Sequence, residues 1–309
     1  MALDLNARRI ARKTAPEDAT SRKAMTRDAL QETEMRGLDA LNLGSATAPR
    51  GHALWQAAWP KLAAVAIALG LWQLVAISGW KESYVLPGPV PVFAELGSRL
   101  LTEEFWKAVG VTMARGVVGF LIASVLGLAL GVLVARSRIL RAAIGSLITG
   151  LQTMPSIAWF PLAILLFQLS EQAILFVILI GAVPSIANGV IGGVDYVPAL
   201  LVRAGRNIGA SGFSLYRHVV LPAALPSIVT GLKQGWAFAW RSLLAGELLV
   251  SIANRPSLGV FLTQSRELGD TAYMIALMIA ILAIGIAVDA VFSGFERGIR
   301  RRRGVVVGA

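Results

Sequence analysis

Residues 173–252 read AILFVILIGAVPSIANGVIGGV (173–194), then a polar interruption containing PALLVRAGRNIGASGFSLYRHVVLPAALP (198–226), then IVTGLKQGWAFAWRSLLAGELLVSI (228–252). A hydrocarbon core of about 30 Å needs roughly 20 mainly apolar helical residues, and both flanking runs are that long. The interruption between them therefore emerges at a membrane surface. It carries Arg203, Arg206 and Arg217, the small residues Gly209, Ala210 and Ser211, and then an amphipathic run. Its composition suits contact with another protein or simple fixing of topology.

Working outward, six runs are long and apolar enough to cross: Leu62 to Trp80, Val109 to Ala135, Ala142 to Leu169, Ala173 to Val194, Ile228 to Ile252 and Thr271 to Phe292. The expected fold class is all-α, a polytopic membrane protein of six transmembrane helices. Residues 1–58 read as a cytoplasmic N-terminal tail, mostly disordered because its few leucines form no sustained apolar stripe. Residues 59–297 read as the membrane domain and 298–309 as a basic cytoplasmic C-terminus. No apolar stretch follows the early Arg8, Arg9, Arg12 and Lys13, so the tail lacks the pattern of a cleavable signal peptide.

The net charge of +11 raises the question of nucleic acid, and the distribution of charge answers it. Nine Lys or Arg against seven Asp or Glu in residues 1–58 leave most of the excess between and after the spans. Arg136, Arg138, Arg141, Arg203, Arg206, Arg217, Lys233, Arg297 and Arg300 to Arg303 fall on one side. On the other, Lys81, Arg99, Lys107, Arg255 and Arg266 are offset by Glu82, Glu95, Glu103, Glu104, Glu267 and Asp270. Lys/Arg excess marks the cytoplasmic side, so both termini are expected inside, in the plasma membrane. The basicity encodes orientation.

The chain has no cysteine and two histidines, His52 and His218, neither inside an expected span. Thiol nucleophiles and thiolate metal sites are excluded, and a membrane-embedded enzyme lacks its usual bases and ligands. No Gly-x-x-x-x-Gly-Lys-Ser/Thr run occurs, so a nucleotide would bind on another chain.

Local signals add detail. Trp55, Trp59, Trp72 and Trp80 bracket the first span as depth anchors. Val92 to Lys107 is amphipathic and expected to lie along the surface as one interfacial helix. Gly119, Ala123, Gly127 and Gly131 form a small-residue stripe for close helix approach, within the bundle or at a dimer seam. Met154-Pro155 and Phe160-Pro161 should break the third span twice, and Pro184 should kink the fourth. Phe213, Tyr216 and Val220 recur at helical spacing as an apolar face that anchors the short helix against its own bundle or its partner, and Pro222 and Pro226 end that run and admit the chain to the fifth span, since proline is tolerated near helix starts.

Arg241 and Glu247 fall inside the fifth span, where an ionisable group costs roughly 2.5 to 3.5 kcal/mol unless paired or wetted. Six residues apart is about 600° of helical rotation, so the two do not share a stripe. Arg241 suits an anionic substrate with Trp236 and Trp240 as the wall of its pathway, and Glu247 is a candidate for the same pathway. A structural ion pair to another helix, or snorkelling toward an interface, is the competing reading. Arg115, Asp195 and Asp289 suit structural pairing.

Arg203-Ala204-Gly205-x-x-x-Gly209-Ala210-Ser211 followed by Val219-Val220-Leu221-Pro222-Ala223-Ala224-Leu225-Pro226 resembles the EAA loop of permease subunits in ATP-binding-cassette importers. Leu86-Pro87-Gly88-Pro89, Met154-Pro155-Ser156-Ile157-Ala158-Trp159-Phe160-Pro161-Leu162, Ala239-Trp240-Arg241-Ser242-Leu243-Leu244-Ala245-Gly246-Glu247, Ser257-Leu258-Gly259, Asp289 and Glu296-Arg297 extend the match over nearly everything after Trp55. The resemblance is to the branch that imports nitrate, taurine and aliphatic sulfonates.

It implies a type I importer permease bundle working as two copies with ATPase subunits, which hold the ATP and Mg, and with an extracytoplasmic solute-binding protein. It also implies that Arg203, Ala204, Gly205, Arg206, Gly209, Ala210, Ser211, Phe213 and Tyr216 form the loop that couples to the ATPase. The chain departs from the pattern at Arg203 and Gly205, where the motif usually has glutamate and a second alanine. Phe167-Gln168-Leu169-Ser170-Glu171 likewise stands where a glycine-containing turn is expected. A secondary transporter or channel driven by an ion gradient is the alternative, and it would need a midplane carboxylate network.

Overall fold

A computed structural model describes residues 50–302, and every regular element among them is helical. The chain divides into two units between Gly70 and Leu71. In the first, the described residues begin helix α1 (Arg50–Ile77), which starts inside the stretch expected to be tail. Residues 1–49 and 303–309, with most of that tail and the end of the basic C-terminus, lie outside the described residues. Trp55, Trp59, Leu62, Val65 and Ile67 of α1 are exposed, as suits a helix whose solvent is lipid.

The second unit holds α2 (Pro89–Leu100), α3 (Glu103–Arg136), α4 (Arg138–Thr153), α5 (Phe160–Phe167), α6 (Glu171–Asp195), α7 (Ala199–Asn207), α8 (Gly212–Leu215), α9 (Leu221–Leu249), α10 (Leu258–Glu267) and α11 (Thr271–Arg302). Among the described residues, five helical stretches are long and apolar enough to cross a membrane: 58–77, 103–136, 171–195, 212–249 and 271–298. A sixth exists if the bent pair of α4 with residues 156–167 is one span. That pair corresponds to the expected span at Ala142 to Leu169.

The bend is 104°, and it falls at Met154 and Pro155, one of the two expected breaks. Pro155 lacks an N–H, and the chain resumes as a 3-10 turn (Ser156–Trp159) running into α5. Pro161 makes no second break, because it falls in the first turn of α5, where a missing N–H leaves no helical bond unmade. Beyond α5, Gln168 takes φ 57° and ψ −160°. Glycine is the residue for that conformation, so the departure noted at this turn is met by backbone strain.

The expected interfacial helix from Val92 to Lys107 is two pieces. Helix α2 stops at Leu100, and Thr102, extended at φ −94° and ψ 140°, starts α3. Glu103 and Glu104 then occupy a first turn, where carboxylates meet the positive end of the helix dipole. Helix α2 is held by Val92, which is buried, by Phe93 against Trp72, and by Arg99 over the ring of Tyr273 at 4.0 Å. The hydrogen bond to Glu95 raises the Arg99 guanidinium above its ordinary pKa.

Helix α6 is central, packed between α3 and α9. The small-residue stripe of α3 is used there: a Cβ on Gly119 would meet Ile178 at 2.9 Å, one on Gly127 would meet Ile186 at 2.7 Å, and one on Gly131 would meet Val190 at 2.6 Å. On the other side a Cβ on Gly189 would lie 2.4 Å from the Gly231 Cα of α9. Lipid tails are as apolar as leucine, so contact area is gained by bringing backbones together, and glycine permits that. Ile174, Val177, Ile178, Ile186, Ala239 and Leu243 fill the buried core between these helices.

Candidate functional site

The polar interruption folds as α7, a turn at 208–211, and α8, followed by one wide π turn (Tyr216–Val220) that leads into α9. Gly209 takes φ +89°, which a residue with a Cβ adopts only under strain, and Ala210 N–H closes the turn on Gly205 C=O at 3.0 Å. Gly205, one of the departures from the motif, is buried: a Cβ there would lie 2.8 Å from Leu215 Cδ1 and 3.0 Å from Val219 Cγ2. It lets α7 rest on α8 and the π turn. Arg203, the other departure, is exposed, as are Ala204, Arg206, Gly209, Ser211 and Phe213, with Ala210 and Tyr216 partly covered.

Two expectations about this segment change. Phe213 points outward while Leu215 and Val220 are buried, so Phe213, Tyr216 and Val220 do not form one face against the bundle. The π turn has more residues per turn than an α-helix and rotates the register between them. Pro222 admits the chain to α9 from its first turn, as expected, whereas Pro226 lies inside the helix and ends no run. The outward apolar surface comes from Leu200, Ile208 and Phe213. Ile208 was missed in the sequence, although an isoleucine beside a polar turn is a usable signal.

Around this end, Arg141 Nη1 donates to both carboxylate oxygens of Asp195 at 2.7 and 2.9 Å, tying α4 to α6. Arg136 stands 6.0 Å over the ring of Tyr216. Asn188 donates to Gln152 across α6 and α4.

A groove of about 600 Å³ opens between α9, α10 and α11. Trp236 and Trp240 stack along it with centroids 6.1 Å apart, and Leu244, Leu262, Met278 and Ile286 continue its apolar wall. Arg241 lines it, exposed, with its guanidinium carbon 5.3 Å over Phe238. Among the described residues no carboxylate forms an ion pair with Arg241. Asp289, also in the wall, pairs with Lys233 at 3.2 Å.

Glu247 is elsewhere. Its side chain is wholly buried and accepts from Arg115 at 2.9 Å, Thr112 at 2.9 Å and the Gly259 amide at 3.1 Å. Arg115 also grips Glu171 through two bonds of 2.7 and 2.8 Å, and Arg255 adds a third to Glu171 at 3.2 Å. The structure thus brings Trp236, Trp240 and Arg241 together and separates Glu247 from them. Thr112 and Arg115 complete a polar node that spacing within α9 does not reveal.

These features coincide with a known architecture. Residues 123–301 match the family model described as binding-protein-dependent transport system inner membrane component. A putative ABC transporter permease of Methanocaldococcus jannaschii is 32% identical over 238 residues, 74% of this chain and 86% of that one. The bicarbonate transport system permease of Synechococcus elongatus is 31% identical over 243 residues, 75% of this chain and 85% of that one. Other relatives are named for nitrate import and aliphatic sulfonate transport. The fold is shared with the inward-facing methionine ABC transporter structure, at TM-score 0.55 and 21% identity over 64% of this chain and 99% of that one. The chain belongs to the binding-protein-dependent transport system inner membrane component family and is the permease subunit, itself no enzyme, of an ABC importer.

Proposed function

We propose that this permease carries a small anion, of the sulfonate, taurine or nitrate class, handed to it by an extracytoplasmic binding protein. The observation that carries this reading is Arg241: a guanidinium without a carboxylate partner among the described residues, on a membrane-spanning helix, facing a groove walled by tryptophans. Such a charge costs roughly 2.5 to 3.5 kcal/mol in lipid, and an aqueous path or an anionic cargo removes that cost. Similarity to a bicarbonate permease supports an anion as cargo.

The exposed surface of Arg203, Arg206, Gly209, Ser211, Phe213 and Ile208 is the face offered to an ATPase subunit, which holds the ATP and Mg. Two permease copies and two ATPase subunits form the working unit in the plasma membrane. Both termini are cytoplasmic, as the Lys/Arg asymmetry supports. ATP-driven closure of the ATPase pair moves the docked segment, and α9 runs directly from that segment to Arg241. The carboxylate that an ion-gradient mechanism would use, Glu247, is instead taken up by Arg115, Thr112 and the Gly259 amide.

The test is uptake into proteoliposomes by the chain with its co-purified ATPase and binding protein, across a panel of anions. Arg241→Lys and Arg241→Ala should both impair uptake, the second more. Unchanged uptake by both removes Arg241 from the pathway.

A further inference from the structure

Helix α10 forms part of the groove wall, at the end of α9 away from the coupling segment, through Gly259 and Leu262. The first amides of any helix have no acceptor of their own, and here each of the first three is taken from outside the helical ladder. Leu258 N–H donates to Thr112 Oγ1 at 3.0 Å, Gly259 N–H to Glu247 at 3.1 Å, and Val260 N–H to Ser257 Oγ at 3.4 Å. Thr112 Oγ1 donates in turn to Glu247 at 2.9 Å, so one hydroxyl relays between the α10 amide and the carboxylate. The seat is close: a Cβ on Gly259 would lie 2.3 Å from Glu247 Cβ.

Leu244 and Leu248, on the same helix as Glu247, line the groove, whereas Glu247 faces α3 and is wholly buried. Its charge, moreover, is placed at the positive end of α10.

We propose that Glu247, with Thr112 as its relay, is a positioning residue that holds α10 closed over the outer end of the translocation groove. This rests on the reading of the groove as the pathway. Weakening the node raises the population in which α10 lifts, so the groove leaks open at that end and ATP hydrolysis loosens from transport. Arg115 donates to the Glu247 carboxylate at 2.9 Å, and its own hold on Glu171 anchors the node to α6.

The chain has no cysteine, so single introduced cysteines report without background. Leu262→Cys reports on the groove wall, and Leu268→Cys, at a position 83% exposed just beyond α10, reports on orientation. Both are labelled in cell membranes with a membrane-impermeant maleimide, alone and with Thr112→Val, Thr112→Ser or Glu247→Gln. The labelling rate of Leu262→Cys should rise by at least about fivefold with Thr112→Val, which loses two buried hydrogen bonds from the closed state, and by roughly fivefold to tenfold with Glu247→Gln, which loses one. Thr112→Ser, which keeps the hydroxyl, should return the parent rate.

Parent-level labelling in Thr112→Val overturns the proposal, as does a Thr112→Ser rate equal to that of Thr112→Val, since keeping the hydroxyl would then not restore the closed state. If Glu247→Gln fails to accumulate, the Thr112 pair decides. Labelling of Leu268→Cys only after permeabilisation would refute the orientation in the proposed function, while the Leu262→Cys rates in permeabilised membranes would still judge the positioning role.

Discussion

The Glu247, Arg115 and Glu171 node makes an asymmetric prediction about stability. Arg115→Met removes three charged hydrogen bonds, and its two carboxylate partners fare differently. The Glu171 side chain is 35% exposed and retains Arg255, so its loss is about 1 kcal/mol or less. Glu247 is wholly buried and keeps only Thr112 and one amide, leaving a buried charge without its counter-ion, at about 3 to 5 kcal/mol. Glu247→Gln is milder. The amide oxygen still accepts, Arg115 keeps both bonds to Glu171, and one of the three donors around position 247 goes unpaired, at about 1 to 3 kcal/mol. Thermal unfolding of the purified complex in one detergent, followed by loss of the monodisperse peak, should therefore rank parent above Glu247→Gln above Arg115→Met. Equal midpoints for the two variants, or the reverse order, would refute the claim that Glu247 is the member whose charge is stranded.

Other outcomes follow from the same geometry. Gly209→Trp should leave the chain inserted yet abolish ATP-coupled uptake, while Gly209→Asn, which tolerates positive φ, should retain much of it; normal uptake by the tryptophan variant, still assembled with its ATPase, would sink the docking idea. Gly231→Ala places a Cβ 2.6 Å from the Gly189 backbone and should destabilise by about 1 to 3 kcal/mol, whereas Gly192→Ala meets nothing within 4 Å and should be neutral or stabilising, measured by the same unfolding assay. Gln168→Gly should raise the unfolding midpoint by relieving about 1 to 3 kcal/mol of backbone strain.

Much of the architecture was legible in linear order because bilayer thickness acts on single segments. Five of the expected spans correspond to the five long apolar helical stretches, and the sixth to the bent pair. Pro155 announced its break, since a missing N–H acts locally wherever it falls. Pro161 and Pro226 did not behave as read, because the effect of a proline depends on its distance from the helix start, which the sequence shows only within a few residues. The Phe213 face turned outward for a comparable reason: one π turn shifts the register, and α-helical spacing does not foresee it.

In the candidate site the division is equally physical. The sequence by itself determined a membrane bundle and the isolation of Arg241 from Glu247, both consequences of spacing and hydropathy along one chain. Only the tertiary structure decided that Gly205 is a packing surface for Leu215 and Val219, that Arg241 faces a groove shared by three helices, and that Glu247 meets Thr112 and Arg115 more than 130 residues earlier. Contacts at that separation depend on which faces of α3, α6 and α9 come together. The glycine stripes that set those faces act through close approach in three dimensions, and the partners of a buried charge are known only once the helices have met.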